Sequence, residues 1–111
     1  MTTSHEIFQK HWDSVQSGDM DAIVRDYAEN AVLIRPNQTL AGHEGCRKFF
    51  HDLFEELEGF SAQQHSVTVG ETTVLLEWRA SHPDGRKAIG VDTFIIENGK
   101  IQIQTLAFEI Q

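Results

Sequence analysis

Asn98-Gly99 lies between two long segments rich in branched and aromatic residues, 87–97 and 100–110. Both central residues of a type I′ turn need positive φ, which asparagine and glycine reach at little cost. The two segments are therefore predicted to form an antiparallel hairpin. Upstream, Pro83-Asp84-Gly85 marks another turn, with proline presetting φ and glycine supplying the positive value. It closes a strand over 72–82, where Val74, Leu76, Trp78 and Ala80 alternate with Thr73, Leu75, Glu77, Arg79 and Ser81. A more polar extended segment, 60–69, precedes it. The second half of the chain reads as a four-stranded meander.

The first half reads as helices. Thr3-Ser4-His5-Glu6 has the form of a capping box, and Ile7, Phe8, His11, Trp12 and Val15 follow at helical spacing. Gly18 suits a left-handed helix end, and Asp19 caps a short second helix carrying Met20, Ile23, Val24 and Tyr27. A short strand spans 30–36, and Gly42 to Gly45 reads as a loop or a single helical turn. A third helix then runs along Cys46, Phe49, Phe50, Leu53, Phe54 and Leu57 to a stop at Gly59. Helices followed by a meander imply an α+β fold with the sheet wrapped over the helices. At 111 residues this is one domain, 1–111, long enough to bury a core without staples.

The last two strands lack a polar face. Ile89, Val91, Thr93 and Ile95 stand on one side of the first, and Ile101, Ile103, Thr105 and Ala107 on one side of the second. An antiparallel sheet with one face in water should alternate more cleanly. A second copy of the chain is expected to cover that outer face, making a homodimer. Other partners are less compatible. With 9 Lys+Arg against 17 Asp+Glu, the net charge of −8 repels nucleic acid and anionic lipid. No apolar run approaches the ~20 residues of a membrane span, and residues 1–6 do not have the pattern of a signal peptide. The single cysteine, Cys46, fits a reducing cytoplasm and reads as a small core residue.

Several local motifs carry a resemblance. Gln16-Ser17-Gly18-Asp19-Met20-Asp21-Ala22-Ile23, Tyr27-Ala28-Glu29-Asn30-Ala31-Val32, Gly42, Phe49-Phe50, Val91-Asp92-Thr93-Phe94 and Asn98-Gly99-Lys100-Ile101 span nearly the whole chain. In them the chain resembles the nuclear transport factor 2-like superfamily, which includes ketosteroid isomerases and SnoaL-like polyketide cyclases. The resemblance implies a cone-shaped, curved, mixed or antiparallel sheet around three N-terminal helices, with an apolar pocket inside and frequent dimerisation through the sheet. It implies no cofactor. Ketosteroid isomerases use a carboxylate base and an oxyanion hole of a tyrosine and a protonated aspartic acid. By position, the aspartic acid corresponds to Asp92, the tyrosine to His11, and the base to Arg35, which precedes Pro36. Arginine cannot accept a proton at neutral pH, so that isomerase mechanism does not transfer intact.

Asp92 also stands out by itself, because Gly90, Phe94 and Ile96 share its face. A carboxylate there must be neutral, paired or liganded. It is the candidate acid or base, with His11 assisting. Arg35 either ends its strand in solvent, neutralises Asp92, or points into the cone and binds an acidic group. His65 shares an alternation with Val67 and Val69 and can look inward on that count. Trp78, Phe94 and Phe54 are expected to help form the apolar wall. No metal is expected, because His43 and His51 are eight apart and no His-x-x-x-His or Cys-x-x-Cys pair occurs. Two readings follow. One is an isomerase or cyclase acting on a hydrophobic, oxygenated small molecule, an acidic one if Arg35 faces it. The other is a non-catalytic, dimeric binding module with a vestigial pocket. Epoxide hydrolysis would need two carboxylates beside an arginine, and the sequence offers one.

Overall fold

The computed structural model describes residues 3–111. Three helices pack into the concave side of a six-stranded, curved, unclosed mixed sheet. In chain order they are α1 (Ser4–Ser17), α2 (Met20–Arg25), β1 (Tyr27–Arg35), β2 (Gln38–Ala41), α3 (Gly42–Glu56), β3 (Ser61–Val69), β4 (Thr73–Ser81), β5 (Lys87–Glu97) and β6 (Lys100–Ile110). The strand order is β2-β1-β6-β5-β4-β3. All neighbours are antiparallel except β1 and β6, which run parallel.

The local signals act as their chemistry requires. The Thr3 hydroxyl accepts from the Glu6 amide, and the Glu6 carboxylate accepts in return from the Thr3 amide. Gly18 ends α1 at φ 73°, and Asp19 caps α2 by accepting from the amides of Asp21 and Ala22. Asn98 and Gly99 both take positive φ, 55° and 74°, in the tight turn between β5 and β6. Ile7, Phe8, Ile23, Phe49, Phe50 and Val74 are among the residues that fill the core between helices and sheet.

Four expectations change. Tyr27 opens β1 instead of closing α2. A short edge strand, β2, forms where none was predicted, because four residues of mixed polarity carry no periodic signal of their own. The helix expected from Cys46 begins at Gly42, and Gly45 lets it approach β2, since a Cβ there would lie 3.0 Å from Leu40. Finally, register shifts in β1–β6, β3–β4 and β5–β6 break the simple alternation of faces. The register shifts between Ile95 and Ile96, so Ile101 pairs with Ile96 and is fully buried, off the outer face. Ile103, Thr105 and Ala107 stay outward with Ile95, Thr93 and Val91, their partners across the pair.

Candidate functional site

Helices and sheet leave a cavity of about 320 Å³ between them, within the range of small-molecule sites. Its walls are mainly apolar, with Phe54 from α3, Phe94 from β5 and Trp78 from β4 among them. Trp12, Leu57 and Phe60 also line it. Its polar side chains are few: Asp92, Gln104, His11, Gln16 and the indole N–H of Trp78.

Asp92 is positioned by the register of three strands. Trp78 lies opposite Gly90, one inward position from Asp92 on β5. Because Gly90 has no side chain, the indole folds across it; a Cβ there would sit 2.0 Å from Trp78 Cε2. From that slot Trp78 Nε1 donates to Asp92 Oδ1 at 2.8 Å. On the other flank, Gln104 of β6 lies opposite Phe94 and its Nε2 donates to Asp92 Oδ2 at 2.8 Å. Both are diagonal contacts across antiparallel pairs. Asp92 is 6% exposed and forms no ion pair among the described residues. Burial raises its pKa to about 7, while the hydrogen bonds from Trp78 and Gln104 pull the other way.

Behind Asp92 the polar groups continue as a chain. The Gln104 carbonyl Oε1 accepts from the Tyr27 hydroxyl. That hydroxyl also lies 3.1 Å from His11 Nε2. His11 Nδ1 lies 3.1 Å from Asp26 Oδ2, and Lys10 Nζ meets Asp26 Oδ1 at 3.3 Å. Burial lowers the His11 pKa against the pull of Asp26. Burial alone would raise Asp26, but its bonds from His11, Lys10 and Ser14 outweigh this and hold it below its ordinary range. Burial also pushes the Tyr27 hydroxyl well above its ordinary value. Every buried side-chain nitrogen or oxygen among the described residues has a partner.

The candidates from sequence thus separate. Asp92, His11, Trp78, Phe94 and Phe54 all line the cavity. Both ring nitrogens of His11 are engaged, with Asp26 and Tyr27, so neither is free to meet a ligand directly. Arg35 does not line this cavity and does not reach Asp92. It makes a two-pronged ion pair with Glu56 of α3, at 2.7 and 2.8 Å, and lies over the Phe108 ring, 5.5 Å from its centre. The expectation of an acidic ligand loses its cation. His65 is also absent from the lining. It is the extra residue of a bulge between Gln64 and Ser66, which breaks the alternation shared with Val67 and leaves His65 exposed.

Sequence reasoning missed Gln104, Tyr27, Asp26 and the slot at Gly90. A signal existed for Gln104, an amide that shares an alternation with Gln102, Leu106 and Phe108. Tyr27 and Asp26 follow a helix whose end the sequence placed too late. Cys46 is fully buried and its thiol is pushed up to about 12 by burial, which suits a core residue better than a nucleophile. Among the described residues no cluster of three or more His, Cys, Asp or Glu can hold a metal, and no helix is long and apolar enough to cross a membrane.

A curved sheet closed by helices over an apolar cavity defines the nuclear transport factor 2-like class. Within it, the SnoaL-like domain model matches residues 8–103, and the chain belongs to that family. Solved structures agree on the fold. A candidate ketosteroid isomerase from Kribbella flavida superimposes with a TM-score of 0.81 at 13% identity, covering 96% of this chain and 77% of that one. A candidate polyketide cyclase from Sinorhizobium meliloti gives 0.80 at 18% identity, covering 92% and 94%. The epoxide hydrolase/cyclase-like SalBIII, of pyran ring formation in polyether salinomycin, gives 0.79 at 23% identity, covering 96% and 90%. At these identities the likeness establishes the fold alone. No curated protein matches the chain.

Proposed function

We propose that the cavity binds a hydrophobic, oxygenated small molecule and that Asp92 exchanges a proton with it in an isomerase- or cyclase-type reaction. The observation that carries this reading is a single carboxyl group among apolar walls with its pKa pushed up to about 7. A proton-transfer group works best when its pKa lies near the working pH. Trp78 and Gln104 orient the carboxyl without neutralising it, which a paired arginine would do. With Arg35 held by Glu56, a neutral carbonyl compound fits better than an acid. The relatives named for isomerisation and cyclisation are consistent with this reading.

A neutral ketone tests it. With 2-tetralone in deuterated water, the protein is expected to speed exchange of the α-protons, with a rate that rises through about pH 7 as Asp92 ionises. Asp92→Asn should remove the acceleration. Binding without acceleration at any pH would favour the second reading, a non-catalytic binding module. Arg35 supports that alternative, since it stands where the resembling isomerases carry their base.

We also propose that a second copy covers the outer sheet face. Leu75, Ile89 and Val91 remain 40%, 39% and 41% exposed there, with Ile95 and Ile103 beside them. A contiguous apolar surface of that kind is uncommon on a monomer. Light scattering at micromolar concentration should give about twice the 12.6 kDa chain mass, and a 12.6 kDa particle would exclude the dimer. A reducing, cytoplasmic setting suits the free Cys46.

A further inference from the structure

Two side chains, Gln104 and Tyr27, link Asp92 to His11, and each of them has a fixed number of protons. Asp92, Gln104, Tyr27 and His11 are joined in series by the bonds described above. Tyr27 has one O–H. Gln104 presents an N–H on one side of its amide and a carbonyl oxygen on the other. His11 Nδ1 faces the ionised Asp26, so that nitrogen carries a hydrogen and only Nε2 varies.

Two arrangements satisfy every group. In the first, Gln104 Nε2 donates to the Asp92 carboxylate, Tyr27 donates to Gln104 Oε1, and a protonated His11 Nε2 donates to the Tyr27 oxygen. In the second, the Gln104 amide is turned by 180°. Asp92 is protonated on Oδ2 and donates to Gln104 Oε1, Gln104 Nε2 donates to the Tyr27 oxygen, and Tyr27 donates to an unprotonated His11 Nε2. Both hold the same number of protons and the same net charge. One proton sits on His11 in the first and on Asp92 in the second. With Asp92 ionised and His11 neutral, Tyr27 faces two acceptors with one hydrogen, and a buried acceptor goes without.

We propose that Gln104 and Tyr27 tie the protonation of Asp92 to that of His11, so that His11 is the positioning residue that sets whether Asp92 meets the cavity as acid or base. This rests on the proposed role of Asp92 and adds to it. The titratable and charged groups around the chain are Lys10 from α1, Asp26 after α2, His43 and Cys46 from α3, and Asp92 from β5. Asp26 fixes Nδ1, Lys10 holds Asp26, His43 bonds the Tyr27 backbone carbonyl, and Cys46 stays a thiol. None of them offers Nε2 a competing partner among the described contacts.

The test is a titration of His11 by 15N-edited NMR on histidine-labelled protein, without ligand. Asp92→Asn provides a permanent N–H toward Gln104 Oε1 while its oxygen still accepts from Trp78, which fixes the second arrangement. It should lower the His11 pKa by at least one unit, a tenfold change in its proton affinity. Made in a Tyr27→Phe background, the same substitution should shift His11 by less than 0.3 unit, about twofold. Gln104→Met cuts the chain at another link and should have the same silencing effect, which keeps the test intact if Tyr27→Phe does not fold. An equal shift with the chain intact and cut would mean that charge acts through space, and the proposal falls. No shift at all in the intact chain also overturns it. Neither result touches the tetralone experiment, which depends on Asp92 alone.

Discussion

Asp92 and Arg35 are single charged residues set into strands, each beside an aromatic ring, and they have opposite fates. Trp78 and Phe108 lie between them in the packing, with ring centres 5.7 Å apart. On one side, Arg35 meets a full counter-charge in Glu56, and the guanidinium is raised above its ordinary value chiefly by the hydrogen bonds of that pair. On the other, Asp92 receives only neutral donors and keeps a pKa of about 7. A charge met by its opposite is fixed across the physiological range, whereas a charge held by neutral dipoles stays free to change state. Whether each charge can change state follows from which kind of partner it obtained.

The largest expected effect breaks the Asp92 side. A carboxyl raised from 3.8 to about 7 binds its proton more tightly in the folded state than in the unfolded one. Its contribution to stability is complete below pH 4 and is lost as pH rises to 7, about 4 kcal/mol at 1.36 kcal/mol per unit. Asp92→Asn should therefore unfold at higher urea than the natural protein at pH 8, by up to about 4 kcal/mol, and show no such advantage at pH 4. Gly90→Ala fills the indole slot and should cost ~1–3 kcal/mol in chemical denaturation, as overpacking does. An unchanged midpoint would mean that Trp78 has room to move. Trp78→Phe keeps a ring and removes one donor to the carboxylate. The Asp92 pKa, read by carboxyl 13C shifts, should rise further by roughly one unit.

The smallest effect is expected at Arg35. Its pair with Glu56 is partly open to solvent, so Arg35→Met should cost no more than ~1 kcal/mol. The affinity of cavity ligands, neutral or acidic, should be unchanged by calorimetry. A loss of acidic ligands alone would show that Arg35 leaves Glu56 to reach the cavity, and the contrast drawn above would vanish.

Much of this arrangement is legible in the sequence, and the rest fails for a common reason. Thr3, Gly18, Asp19 and Asn98-Gly99 act on their nearest neighbours, so their geometry follows from local chemistry. Asp92 was visible because an acid among Gly90, Phe94 and Ile96 violates the pattern of its own strand. What escaped notice depends on register between distant segments. A bulge turned His65 outward and another turned Ile101 inward, and neither leaves a mark in the strand's own alternation. Arg35 could be placed at the end of β1, but not beside Glu56, 21 residues away on α3. Gln104 looked like one more residue of β6 until β5 and β1 stood on either side of it.

The place of β6 in the sheet has a consequence for how the protein comes into being. It lies between β1 and β5 and is the last of the described strands to be synthesised. Until it emerges from the ribosome, β1 and β2 have no strand pairing with the β3–β5 meander. Parallel pairing of β1 with β6 closes a loop of about 70 residues, the kind of distant contact that slows folding. The same strand delivers Gln104. A nascent chain halted before β6 would therefore lack both the strand that joins the two parts of its sheet and the amide that completes the surroundings of Asp92. The donors that hold Asp92 would be complete only once the strand that joins the two parts of the sheet is in place.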